Sequence, residues 1–244
     1  MRRARFDSKT LLGSPLALLT SFLFFLVAGL SCADEEKPAL NSEQPSSTQL
    51  ESSLNPALTN PSLANEQAPE QFKVEFNTTK GKIILEIHRP WSPHGADRFY
   101  NLVKIGYFED IGFIRAIEGF MVQFGIHGNP KVSGQWHRAS ILDDSTVESN
   151  LRGTISFAKT NQPNSRTTQL FMNLSDNKNL DRMGFSPFGK IVEGLDVLDA
   201  LHKTGEGAPG GPGPSQQKVR IYGNEYLRQS FPKLDYLESA RILD

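Results

Sequence analysis

The chain has 244 residues, with 26 Lys and Arg against 27 Asp and Glu, a formal charge of −1, and 38% hydrophobic residues. That length holds one or two domains with a packed core. The balanced charge argues against a general nucleic-acid binder, and a lone Cys excludes an internal disulfide framework and a thiolate zinc site.

The charge is unevenly spread. Residues 1–32 carry Arg2, Arg3, Arg5 and Lys9 against Asp7, a net of +3. An uncharged stretch follows from Thr10 to Ala33, densest over Leu16–Leu30, and ends at Gly29-Leu30-Ser31-Cys32. A basic start before an apolar run is the pattern of an export signal. Small residues beside a Cys resemble the bacterial lipoprotein signal, in which the Cys becomes a lipidated N-terminus, although Leu30 stands two residues before Cys32 rather than three. Three readings remain: lipidation at Cys32, an uncleaved membrane anchor, or ordinary cleavage. Each places the rest of the chain outside the cytoplasm, in the bacterial envelope, because the basic end stays inside.

Residues 33–70 contain seven acids against one Lys, five Pro, six Ser and no aromatic residue. Such a composition predicts a disordered acidic spacer, since it offers little apolar surface to offset ordering entropy. Residues 71–244 hold every aromatic residue except Phe6, Phe22, Phe24 and Phe25, which predicts one domain with a C-terminal extension.

Within that domain, Phe72–Phe76 alternates apolar and polar residues as a half-buried strand, Lys80-Gly81 marks a turn, and Lys82–His88 is a second strand, so the pair reads as a hairpin. Ser92-Pro93 opens a helix in which Phe99, Leu102 and Val103 recur at helical spacing, and Gly106 stops it. Phe113–Gly125 reads as two short strands around Gly119. Further strands are expected at Thr154–Ala158, Gln169–Leu174, Phe188–Val192 and Val219–Tyr222, with a short helix at Asp196–Leu201. Over Gly223–Asp244, Leu234 and Leu237 stand at helical spacing and suit packing on the domain or a partner. Many strands and few, separated helices favour a closed antiparallel sheet capped by helices.

The common catalytic constellations are missing. There is no G-x-S-x-G and no H-E-x-x-H, and the five His are scattered. Gly205-Glu206-Gly207-Ala208-Pro209-Gly210 satisfies G-x-G-x-x-G but follows a helix, includes an acid, and loses a donor at Pro209, so it reads as a flexible loop rather than a phosphate cradle. Asn77-Thr78-Thr79 and Asn173-Leu174-Ser175 match the glycosylation pattern by chance. The informative segment is Phe113–Gly125, which sets Arg115, Phe120, Met121 and Gln123 in apolar sequence. In a strand–turn–strand, Arg115 and Gln123 face each other; taken alone, these residues fit a core hairpin with a salt-bridged Arg somewhat better.

That segment, together with Asn164–Asn173 and Gly184–Gly194, resembles the three pocket motifs of the cyclophilins, in the family's order. The Pro93–Lys104 helix, Gly223-Asn224-Glu225-Tyr226-Leu227 and the Phe231–Tyr236 tail are similar to a bacterial exported subgroup. The resemblance covers residues 72–243 and implies a mainly β fold, an eight-stranded antiparallel barrel with two capping helices, and peptidyl-prolyl cis–trans isomerase activity without cofactor or metal. It implies Arg115 as the catalytic arginine, Gln123 as its orienting and backbone-holding partner, and Phe120, Met121, Phe171, Leu180 and Phe185 around the proline ring. Ala158, Lys159 and Gln169 would border the groove for the preceding residues. Ile114, Glu118, Lys159, Leu170 and Asn179 depart from the family's commoner residues, the last implying at most weak cyclosporin binding. The expected partners are proline-containing polypeptides and, through the N-terminal lipid or anchor, a membrane; no nucleic acid is expected, and the chain is expected to be a monomer. The expected role is folding of exported or envelope proteins. The alternative is a chaperone or adhesin module that holds Pro-containing segments with little turnover.

Overall fold

The computed structural model describes residues 55–243. The expected export signal, Cys32, and the first part of the expected spacer lie outside these residues.

β1 (Gln71–Thr78) and β2 (Gly81–His88) form the expected hairpin, with Phe72, Val74 and Phe76 turned inward. α1 (Pro93–Lys104) starts on Pro93 and lays Ala96, Phe99, Leu102 and Val103 on the core. Then come β3 (Ile111–Gly112), β4 (Arg115–Ile117), β5 (Met121–Phe124) and α2 (Pro130–Trp136). β6 (Thr154–Phe157), β7 (Leu170–Asn173), a 3-10 turn (Lys178–Met183) and β8 (Pro187–Glu193) follow. The chain ends with α3 (Leu195–Ala200), α4 (Gln216–Ser230) and β9 (Tyr236–Leu243).

The described residues form one antiparallel sheet of nine strands rather than eight, in the order β3-β9-β1-β2-β8-β6-β7-β5-β4. β3 and β4 are the two ends of that order, yet only Phe113 and Ile114 separate them in the chain. The seam is therefore joined covalently, where a fully closed barrel would have a hydrogen-bonded ladder. Four α-helices, not two, accompany the sheet among the described residues. Edge-to-face aromatic contacts fill the interior: Phe76 meets Phe124 at 5.8 Å and Phe99 at 6.0 Å, and Phe113 meets Phe124 at 5.4 Å.

Three expectations are corrected. Asn55–Glu70 is not a free spacer. Asn55 caps a 3-10 turn at Pro56–Leu58, and Ala57, Leu58 and Ala68 are buried in the main core. The Trp136 indole donates to the Leu58 carbonyl at 3.0 Å, and Asn101 donates to the Glu66 carbonyl at 2.7 Å. Prolines pre-set the turns, so the few small apolar residues here need not offset the full ordering entropy. Second, Val219–Tyr222 lies inside α4, where Val219 and Leu227 pack with Ile114, Ile126, Leu234 and Tyr236. The β-branched run suggested a strand, but tertiary burial overrides propensity. Gly223 kinks this helix at φ 61°, where an added Cβ would lie 1.9 Å from the Gly128 carbonyl oxygen. Third, the helical spacing of Leu234 and Leu237 marks no helix: Leu234 precedes β9, Leu237 lies within it and β9 pairs with β1 and β3, although both side chains pack on the domain as expected.

Candidate active site

Strand alternation separates two faces where β4, β5 and β7 meet. Ala116, Val122, Phe124, Leu170 and Met172 point into the main core. Their neighbours in sequence point the other way, and the register aligns Arg115 with Gln123 and Gln123 with Phe171 across the three strands. Gly119, at φ 68°, closes the turn between β4 and β5, and the Phe120 amide donates to the Ile117 carbonyl at 3.0 Å.

Those outward residues line a groove of about 650 Å³, and all ten groove residues expected from the sequence contribute to it. Met121, Phe171 and Leu180 form a buried apolar patch, against which Phe120, Ala158 and Phe185 pack. Phe185 stands edge-on to Phe171 at 5.6 Å and 81°. The Arg115 guanidinium lies over the Phe120 ring at 5.7 Å. Its Nη1 donates to Gln123 Oε1 at 3.2 Å, and Gln123 Nε2 donates to Gln169 Oε1 at 2.9 Å. Gln123 is buried, whereas the Arg115 side chain is 21% exposed, so the donor row has a covered base and an open tip. Lys159, at the far wall, pairs with Asp143 at 3.6 Å, which offsets the charge it adds. Glu118 and Asn179 are exposed and do not line the groove, so these two departures leave the apolar patch untouched.

Two features escaped the sequence reading. The first is Glu206, from the Gly205–Gly210 loop. Its carboxylate accepts from Arg115 Nε at 2.6 Å and Nη2 at 2.7 Å, a two-pronged pair. The Arg115 guanidinium holds the Glu206 carboxyl below the usual carboxylate range. The loop is fixed at its start rather than free: the Gly205 amide donates to the Ala116 carbonyl at 2.8 Å, and the Ala116 amide donates to Thr204 Oγ1 at 2.9 Å. No motif marks an acid that reaches an Arg 91 residues away.

The second is a polar layer beneath the apolar patch. Asn177 Nδ2 donates to the Phe120 carbonyl at 2.8 Å and to Asn173 Oδ1 at 2.7 Å. Asn150 Nδ2 donates to the Phe185 carbonyl and to Asp181 Oδ1, both at 2.8 Å, and Ser156 donates to Asn150 at 2.9 Å. Burial raises the Asp181 carboxyl, but donors from Ser149 and Asn150 outweigh it and leave it below its ordinary value. A satisfied buried network of this kind rigidifies what it touches, here the backbone behind Phe120 and Phe185.

Chemically, the arrangement offers a fixed guanidinium at the rim of an apolar patch. It suits gripping a small apolar ring while donating to a nearby polar atom.

The comparisons agree with that chemistry. The family model for cyclophilin type peptidyl-prolyl cis-trans isomerase/CLD matches residues 72–225. Curated relatives include a peptidyl-prolyl cis-trans isomerase of Streptomyces antibioticus, 34% identical over 144 residues, covering 54% of this chain and 85% of that protein. Peptidyl-prolyl cis-trans isomerase B of Escherichia coli is 29% identical over 145 residues, covering 56% of this chain and 88% of that protein. Among solved structures, a cyclophilin type isomerase of Cryptosporidium parvum aligns with TM-score 0.53 and 20% identity, covering 71% of this chain and 98% of that one. The same parasite's isomerase in the presence of the dipeptide Ala-Pro aligns with TM-score 0.51 and 21% identity, over 70% of this chain and 99% of that one.

Proposed function

Because this chain belongs to the cyclophilin-type peptidyl-prolyl cis-trans isomerases, we propose that it turns X-Pro bonds of exported or envelope proteins by an arginine-assisted rotation, held to a membrane through its N-terminus. The observation that carries this reading is the Arg115 guanidinium, fixed by Gln123 at the rim of the Met121–Phe171–Leu180 patch.

A peptide C–N bond resists rotation by roughly 18–20 kcal/mol through resonance, and uncatalysed X-Pro isomerisation takes on the order of tens to hundreds of seconds. Rotation moves no atom between partners and needs no covalent intermediate or proton transfer. It needs the twisted amide stabilised, in which conjugation is lost and the proline nitrogen regains its lone pair. The apolar patch holds the ring, and the row Gln169–Gln123–Arg115 anchors the flanking backbone. Arg115 donates to the twisted amide at the nitrogen or the adjacent carbonyl. A guanidinium suits the task because it is always charged and its donors sit in a rigid fork.

The location rests on the basic and apolar leader ending at Cys32. The full chain, produced in a bacterial host with an envelope, is expected in the membrane fraction with an acylated Cys32 at its mature N-terminus by mass spectrometry, and Cys32→Ser is expected to release it from that state. In detergent the same preparation is expected to accelerate isomerisation of an Ala-Pro tetrapeptide. A mature chain that keeps residues 1–31 or starts elsewhere overturns the lipid assignment; absence of catalysed isomerisation overturns the catalytic mechanism.

A further inference from the structure

Beyond the apolar patch the groove has a corner whose charge is one-sided. Gln169 and Thr167 line both the main groove and a small recess beside it, and so do His137 and Arg220. Gln169 is the end of the donor row that starts at Arg115. The recess therefore begins where the substrate backbone leaves that row. His137 follows α2, Arg138 comes next, and Arg220 lies in the early turns of α4, so two helices bring these side chains to one corner.

Arg220 is only partly exposed, and its side chain makes no hydrogen bond, ion pair or ring contact among the described residues. Burial lowers its pKa, and together with Arg138 it pushes the His137 imidazole, already disfavoured as a cation by burial, below its usual value. His137 is then neutral at physiological pH, and Arg138 and Arg220 supply the charge. Arg138 finds only the neutral Gln135 side chain, at 3.0 Å. The one carboxylate that lines the groove among the described residues, Glu206, is already engaged by Arg115. A partly desolvated guanidinium with no counter-charge is a cost to the free protein, and an incoming anion removes that cost.

We propose that this corner receives the carboxylate of an Asp or Glu in the substrate, so that the site selects X-Pro segments with an acidic residue a few positions from the proline. The inference rests on the isomerase reading of the groove and adds to it a substrate class. Arg220 is the specificity-determining residue, with Arg138 adding longer-range attraction. The neutral His137 ring supplies a donor that does not compete for the anion.

The test uses the full chain in detergent and a host peptide with one Pro, carrying Glu, Gln or Lys in turn at each of the four positions on either side. Isomerisation is followed by NMR exchange and binding by fluorescence anisotropy of the same peptides. At one position the Glu peptide is expected to bind and turn over about fivefold better than the Gln peptide, the return on one partly screened ion pair, with Lys worse than Gln. Added salt shrinks that ratio. Arg220→Gln is expected to collapse the Glu/Gln ratio to about one, and Arg220→Lys to restore part of it, each with an unchanged circular dichroism spectrum. Equal Glu and Gln values at every position, with brisk turnover, overturn the inference and leave the isomerase reading intact. A Glu preference that survives Arg220→Gln overturns the assignment of Arg220. Preferential binding of a Glu peptide without turnover of any peptide supports the corner and overturns the isomerase reading instead.

Discussion

Arg115→Ala separates catalysis from stability. In the wild-type protein, the guanidinium meets Gln123 Oε1 at 3.2 Å, the two Glu206 oxygens at 2.6 and 2.7 Å, Met121 Sδ at 3.6 Å and the Phe120 ring at 5.7 Å. Removing one preorganised donor of this kind costs about 2.7–4 kcal/mol of transition-state stabilisation, or roughly 10²–10³ in rate. The Arg115 side chain is 21% exposed, so water partly replaces it in the mutant, and the lower end applies: about a hundredfold. The fold loses much less. Glu206 is half exposed and simply rehydrates, so losing this pair costs at most about 1 kcal/mol, or roughly 2–4 °C in Tm. Arg115→Lys keeps the charge but loses the rigid planar fork of donors, and falls by about tenfold or more. The assay is kcat/KM on an Ala-Pro tetrapeptide beside a thermal melt. A rate for Arg115→Ala within about threefold of wild type, with Tm preserved, refutes the mechanism.

Glu206→Gln frees Arg115 Nε and Nη2 while Gln123 still holds Nη1, so kcat/KM rises, by no more than about fivefold because an exposed pair is worth at most about 1 kcal/mol; a fall beyond twofold would make Glu206 a positioning residue instead. The pH profile of kcat/KM is level from about pH 7 to about pH 9, since the rotation uses no proton transfer, Glu206 titrates below its ordinary value and His137 is pushed down as well; a bell-shaped profile in that range contradicts the mechanism. Asp144 is a buried carboxylate accepting from Ser92 at 2.6 Å, Gly95 at 3.0 Å and Arg166 at 2.8 Å, so Asp144→Asn leaves Arg166 only the longer Asp143 pair at 3.7 Å and lowers stability by about 2 kcal/mol, or about 4–8 °C in a calorimetric melt. Burial raises the Asp144 carboxyl but its donors outweigh that, so its stabilisation is complete above the ordinary value of 3.8 and is lost as pH falls through the lowered folded value; the wild-type melt drops there more steeply than that of Asp144→Asn.

Legibility followed the range of the interactions. The β1–β2 hairpin, α1 and the Arg115–Gln123 pairing rest on alternation, Pro and Gly placement and a four-residue turn, all local, and the structure has each of them. Seven of the ten groove residues sit in the three separated motifs of the resemblance, and those on β4, β5 and β7 converge because these strands are neighbours. What stayed hidden depends on contacts without a local signature. Val219–Tyr222 has a strand's composition and becomes helical because Val219 and Leu227 are needed on one face against Ile114 and Tyr236. Residues 55–70 have a spacer's composition, yet Leu58 lies close enough for its carbonyl to accept from a tryptophan 78 positions on.

The same division explains how the groove can change its substrate without losing its chemistry. The residues that would hold and turn the proline lie on three adjacent strands or on turns tied to them by the Asn150–Asn173–Asn177 layer, and a change there disturbs both the core and the site. Glu206 and Arg220 arrive on a loop and a helix outside that layer, each with its polar group at the groove and its backbone secured elsewhere. Their side chains set charge at opposite ends of one donor row, Glu206 drawing on Arg115 and Arg220 left open past Gln169. Substitution at either position costs the fold little, because neither side chain is part of a buried apolar cluster. Rate and sequence preference are therefore adjustable separately: a Glu206→Gln/Arg220→Gln double variant should show the two effects adding in free energy, as expected for positions that share no contact, whereas a coupling above about 0.5 kcal/mol would mean that the two ends of the row act as one unit.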